Sequence, residues 1–239
     1  EWAEKHPEET HRTFLMSERI IAETRVLEID VMKGYFAQQI APDWDHLSYW
    51  EVVDRTTGKT VSDWKADAAR GKVVLENAEE MHEYTVGFMA LVIWHPVQIY
   101  NYLTNNWTCA KQKMYDPAFP NTAEYIKRHM REWCEAHPET NVVRFTTFLY
   151  QFTLIFNEKG KEKYVDWFGY GLSVSPALLD AFEKEYGYKM RAEDFIDGGC
   201  YANPFRVPNR KILDYMDFVS RFATKTIGEL VNIVHENGK

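Results

Sequence analysis

Cysteine is scarce in this 239-residue chain: Cys109, Cys134 and Cys200 are odd in number and far apart. No CxxC pair and no Cys/His cluster occurs, so neither a disulfide framework nor a zinc site is expected. Free thiols fit a reducing, cytoplasmic compartment. Positive charge is also in deficit, with 28 Lys and Arg against 36 Asp and Glu and a net charge of -8. Binding to a nucleic-acid backbone needs clustered basic residues, so no nucleic-acid partner is expected, although a local Arg can still hold a small anion. No apolar run is long enough to span a bilayer. The opening residues, Glu1 to His6, are charged and lack the apolar stretch of a signal peptide. No GxGxxG or Walker-type loop is found, which argues against a dinucleotide fold.

What the chain does hold is apolar and aromatic material. Hydrophobic residues make up 45%, enough for a sizeable core, and aromatics 15%, with eight Trp. Most aromatic rings in any domain are core packing. Sugar binding is the functional alternative, because flat apolar sugar faces stack on Trp and Tyr.

The pattern reads as alternating strands and helices. Strands are predicted at 12–16, 72–75, 83–94 and 164–169, with a helix over 27–39 and a loop around Pro42. Two β-rich runs about Thr57-Gly58 predict a hairpin, and the zone 49–75 reads as a hairpin excursion from the main fold. The nearly continuous apolar run after Gly87 predicts a parallel strand buried on both faces. Helices follow at 97–106, at 122–136 with Asn121 as cap, at 175–186 closed by Gly187, and from Asn209 to about Glu236. Residues 142–156 predict a strand ending near Thr146 or Thr147 and then a loop. A further loop is predicted over 194–208. The fold class is α/β, a partial (β/α)8 TIM-like barrel: about four barrel-type strands are countable where a closed barrel needs eight.

In such a barrel the site lies past the C-terminal ends of the strands. His95 and Asn101 follow one strand, each with a bland reading as packing or exposed helix surface. Arg144 sits among Val143 and Phe145. A buried Arg there is either ion-paired or clamps an oxyanion or hydroxyl, and the sequence leaves both open. Asp166-Trp167 at a strand end suits a sugar hydroxyl and a stacked ring. Glu158, Glu162 and Asp166 mimic a glycosidase acid pair. Glu158 and Glu162 alternate with Lys159, Lys161 and Lys163, however, as a solvated face does.

These stretches resemble glycoside hydrolase family 112, the β-galactosyl phosphorylases that include lacto-N-biose phosphorylase. The matching words are YWEVVDRTTG at 49–58, HEYTV at 82–86 and the segment 96–105. They continue with VVRFTTF at 142–148, YQFTL at 150–154, VDWFG at 165–169, DGG at 197–199 and RVP at 206–208. The resemblance implies a hexosyltransferase: reversible, inverting phosphorolysis of β-1,3-galactosyl-N-acetylhexosamine to α-galactose 1-phosphate and free N-acetylhexosamine. Inorganic phosphate is co-substrate, and neither a metal nor an organic cofactor is implied. Asn101, Arg144 and Trp167 match sugar-site positions. Val97 matches one near the acceptor sugar, and Tyr170 matches another at which the family carries a smaller residue. The general acid of the family falls just past Lys239. Residues 1–239 are therefore expected to be an internal segment of the N-terminal catalytic TIM-barrel domain, without its first and last barrel elements and inactive alone. The full-length parent is expected to be a homodimer. A β-1,4-galactosyl-L-rhamnose phosphorylase, a hydrolase using Glu158 and Asp166, and a non-catalytic galactoside-binding module are the alternatives.

Overall fold

A computed structural model describes residues 1–145, 153–166, 173–201 and 207–239. Its spine is strand β9, Glu83–Val92, to which four of the other strands bind. β1 (Arg12–Met16) and β2 (Ile20–Ile21) pair along one edge, with Arg12 opposite Leu91 and Ile20 opposite Tyr84. β4 (Ile40–Pro42) and β5 (Glu51–Asp54) take the other edge, with Ile40 opposite Val92 and Val52 opposite Val86. β6 (Lys59–Val61) closes the hairpin with β5, as the Thr-Gly turn predicted.

Four expectations are corrected. β9 is buried on both faces, as its apolar run implied, but every pairing among the described strands is antiparallel. Continuous apolar character reports double-sided burial and not strand direction. The hairpin zone is not a single excursion, since β5 belongs to the central sheet. β7 (Lys65–Asp67) and β8 (Lys72–Leu75) instead join β3 (Leu27–Asp30) in a separate three-stranded sheet, ordered β3-β8-β7. The helix predicted over 27–39 is absent, because Leu27-Glu28-Ile29-Asp30 alternates buried and exposed with period two, and turns follow it. Pro42, expected in a loop, ends β4.

The helices follow their caps. After the short α1 (Trp2–Lys5), α2 spans Pro96–Asn105 and ends on left-handed Asn106. α3 is Pro120–Ala136. Proline takes its first turn, so Phe119 and not Asn121 is the flanking residue. The Asn121 amide instead donates to the buried Glu9 carboxylate at 2.7 Å, and the Thr122 N–H donates to the same group at 2.9 Å. That engagement accounts for Glu9 in the nearby cluster of His6, Glu8 and Glu9 without an ion. α4 (Pro176–Tyr186) is capped by Ser175, whose hydroxyl accepts the Leu178 N–H, and closed by Gly187 at φ 79°. The loop expected from Asp194 lies partly in α5, Ala192–Ile196. α6, Arg210–Glu236, is capped by Asn209 and packs against α3. β10 (Thr153–Phe156) and β11 (Glu162–Asp166) form a hairpin across the polar turn. The structure is thus mixed α/β, with no closed barrel among the described residues. No described helix is long and apolar enough to cross a membrane.

Candidate functional site

The chain leaves β9 through Ile93 and Trp94 and turns into α2 at His95-Pro96. Proline pre-sets the first helical turn, and the His95 ring accepts the Val97 N–H on Nδ1 at 3.2 Å. That bond fixes the neutral ring with its hydrogen on Nε2. Burial of His95, with the nearby His11 adding to it, lowers its pKa and favours this neutral form.

A strap over residues 109–116 hangs beside this turn. Gln98, one turn into α2 and buried, spends its whole amide on holding the strap to Trp94. Its oxygen accepts from Trp94 Nε1 at 2.9 Å and from the Gln112 N–H at 2.6 Å. Its nitrogen donates to the Ala110 carbonyl at 2.9 Å and meets Cys109 Sγ at 3.4 Å. The backbone adds three ties: His95 N to Gln112 O at 2.7 Å, His11 N to Met114 O at 3.1 Å, and Asp116 N to Glu9 O at 2.9 Å.

Beneath the strap lies a cavity of about 360 Å³ whose polar wall carries His11, His95, Lys113, His129 and Arg144. His11 is fully buried, 3.8 Å from Asp116. Burial lowers its pKa, and Asp116 opposes that only in part. The unfolded chain therefore takes up a proton first as pH falls past the ordinary histidine value of 6.5. The contribution of His11 to stability is complete above that pH and is lost below it, toward the depressed folded value. Thermal midpoints at pH 7.5, 6.5 and 5.5 should fall on the acid side, and His11→Gln should flatten the fall. An equal acid-side loss in the variant would assign it elsewhere.

Of the residues expected at the site, Arg144 reaches this cavity, but not from within a strand. Residues 141–145 carry no regular structure and Arg144 is exposed, so the buried-strand reading of Arg144 is corrected. Its neighbours give the reason: Val142 is itself 79% exposed, so no sheet face covers the segment. Val97 and Asn101 share a face of α2, with Asn101 Nδ2 donating to the Val97 carbonyl at 2.9 Å and its oxygen accepting from Asn105 at 2.7 Å. Both are half-buried, and neither is among the described residues lining the cavity. Trp167 and Tyr170 lie outside the described residues, as does the predicted strand end at Thr146 or Thr147. Glu158 and Glu162 are exposed, as their alternation with lysines implied. The sequence did not single out Lys113, His11 or His129. Lys113 sits in a strap without periodicity, and ties from Gln98, His95, His11 and Glu9 bring it to the site.

The family model for the lacto-N-biose phosphorylase N-terminal TIM barrel domain matches residues 1–239. A 1,3-beta-galactosyl-N-acetylhexosamine phosphorylase of Bifidobacterium longum subsp. longum is 44% identical over 244 residues, covering 100% of this chain and 32% of the relative. A protein of the same description from Lachnoclostridium phytofermentans is 43% identical, with 100% of this chain and 34% of that relative covered. A D-galactosyl-beta-1->4-L-rhamnose phosphorylase of the same organism is 37% identical over 244 residues, again covering 100% of this chain and 34% of its own length. The chain thus spans about a third of the length of the curated relatives it matches.

Proposed function

The chain belongs to the lacto-N-biose phosphorylase family through the N-terminal TIM-barrel domain, and from this premise we propose that it is the substrate-holding part of a β-galactoside phosphorylase. The observation that carries the reading is the family match over every residue, joined by relatives at 43–44% identity that are named for the β-1,3-galactosyl-N-acetylhexosamine reaction. The galactosyl-rhamnose relative, at 37%, supports that substrate less.

In this reading a phosphate oxygen attacks the anomeric carbon of galactose from the face opposite the leaving sugar. The glycosidic C–O bond breaks with inversion, and the departing oxygen takes a proton from a general acid. The products are α-galactose 1-phosphate and N-acetylhexosamine. Phosphate is already an anionic nucleophile, so no base has to generate one, and one carboxylic acid suffices where an inverting hydrolase needs two. The acid is assigned to the parent beyond Lys239, and residues 1–239 to a segment of the partial (β/α)8 barrel that is inactive alone. The chain supplies binding groups instead. Arg144 offers a planar fork to hydroxyl or phosphate oxygens. Asn101, one turn from Val97, offers its amide to the sugar, while Trp167 and Tyr170 supply ring faces. The parent is read as a cytoplasmic homodimer, with no nucleic-acid or membrane partner.

Two measurements test this on the full-length parent. Galactose 1-phosphate should accumulate from the β-1,3 disaccharide only when phosphate is present, whereas free galactose released without phosphate would make the protein a hydrolase. Arg144→Ala should raise KM for sugar or phosphate about tenfold or more, the scale of one lost charge-assisted contact. Unchanged kinetics in a folded variant would remove Arg144 from the site.

A further inference from the structure

The cavity under the strap is chemically one-sided. Its described lining offers Lys113, Arg144 and the rings of His11, His95 and His129, with no carboxylate among them. This one-sidedness occurs in a chain with a net charge of -8, whose cations are widely paired elsewhere. Lys65 meets Glu76 at 2.8 Å, Lys127 meets Glu229 at 2.8 Å, and Arg55 grips Glu193 at 2.7 Å. Among the described residues neither Lys113 nor Arg144 has an ion-pair partner. Behind the wall Asp116 is fully buried against His11 and accepts the Ala118 N–H at 2.8 Å.

The wall is also held in place. Lys113 follows Gln112, whose N–H is bonded to Gln98 in α2 and whose carbonyl is bonded to the N–H of His95 just before that helix. The His95 ring is anchored by its own bond to the Val97 N–H, which leaves Nε2–H as its donor for a ligand. A half-buried ammonium and a neutral N–H donor thus line one cavity from two segments that are themselves tied together, the kind of donor set that a pre-organised oxyanion site uses.

Resting on the phosphorolytic reading above, we propose that this cavity takes the phosphate co-substrate, with Lys113 Nζ and His95 Nε2–H as donors to its oxygens beside Arg144. Gln98 acts through the other two: it is a positioning residue that sets the strap and touches no substrate. A compact ammonium suits an oxyanion as a point charge, while a neutral imidazole adds direction without competing for the anion's proton.

The test uses the full-length parent, varying inorganic phosphate at saturating disaccharide and the reverse. Lys113→Ala should raise KM for phosphate about tenfold or more while KM for the disaccharide moves less than about twofold, and Lys113→Arg should restore most of the loss. Lys111→Ala, on the same strap but bonded to Gln38 and set over Trp94, is expected to leave phosphate KM unchanged. If Lys113→Ala does not fold, Lys113→Gln is compared with wild type for the rise in thermal midpoint that inorganic phosphate gives, a rise the variant should lose. An unchanged phosphate KM, a shift confined to the disaccharide KM, or an undiminished phosphate-induced rise in Lys113→Gln would overturn the assignment. A wild-type parent without phosphorolysis sinks the proposed function alone, because phosphate protection of wild type against Lys113→Gln still decides the phosphate site.

Discussion

Replacing Asp43 with Ala should destabilise the chain by about 3–5 kcal/mol, the loss expected when one partner of a buried ion pair is removed. Arg12 and Asp43 have side chains only 3% exposed, and Arg12 Nε donates to Asp43 Oδ2 at 3.0 Å. Arg12 Nη1 donates to the backbone carbonyls of Glu8 and Thr10. Asp43 in turn meets the His46 ring at 2.9 Å on its second oxygen. The pair lies where β1 and β4 flank opposite edges of β9, so it ties the two sides of the sheet across the spine strand. Without the carboxylate, the guanidinium stays buried with no countercharge. Urea unfolding checks it: the midpoint should fall while the slope is unchanged. Glu76→Ala is the control, because its pair with Lys65 is more than half exposed on both sides and should cost under about 1 kcal/mol. If Asp43→Ala cost no more than this control, the pair would not be holding the sheet. The double change Arg12→Met with Asp43→Leu should recover much of the loss, since it removes the stranded charge together with its partner.

Legibility of this chain divides by the range of the interactions that decide each element. Local chemistry was read well. Ser175-Pro176 and Gly187 bracket α4, Asn209 starts α6, and Thr57-Gly58 turns the β5–β6 hairpin, because caps and turns are settled within a few residues. Leu27 to Gln39 failed because four residues of alternating pattern are outweighed, over a longer window, by helical spacing that the turns after Asp30 never use. The direction of β9 was not legible at all. Its burial is written in its own residues, but whether neighbours run parallel depends on chain segments up to 79 residues away, as when Arg12 pairs with Leu91. The site shows the same division. Arg144 was legible as an odd cation in an apolar stretch, whereas its exposure follows from a segment that no sheet covers, and the cavity it shares with Lys113 depends on the strap that Gln98 holds.

Phe88→Ala should cost about 3–5 kcal/mol, and Phe88→Leu only about 1–2, because the first leaves a ring-sized cavity and the second refills most of it. The argument rests on the position of the residue in β9. Phe88 is fully buried on the face it shares with Tyr84, Val86, Ala90 and Val92. It meets Tyr35 edge-on at 6.0 Å between ring centroids and Trp50 at 5.6 Å. Tyr35 is itself fixed by donating its hydroxyl to the Met16 carbonyl at 2.5 Å, so it cannot collapse into the space without giving up that bond. The opposite face gives no relief. At Gly87 an added Cβ would lie 2.8 Å from Ile196 Cδ1 and 2.9 Å from Ala192 Cβ, so α5 already presses on the backbone there. A strand clamped between Tyr35 and Trp50 on one side and α5 on the other has no direction in which to relax. The full cavity term should therefore be expressed. Urea unfolding of wild type, Phe88→Leu and Phe88→Ala measures it, and equal costs for the two variants would show that the core does collapse around the missing ring. The same strand delivers His95 to the cavity, so Phe88→Ala in the full-length parent should lower activity in step with the folded fraction. A kinetic loss at temperatures where the variant is still folded would instead show that the position of His95 depends on how tightly β9 is packed.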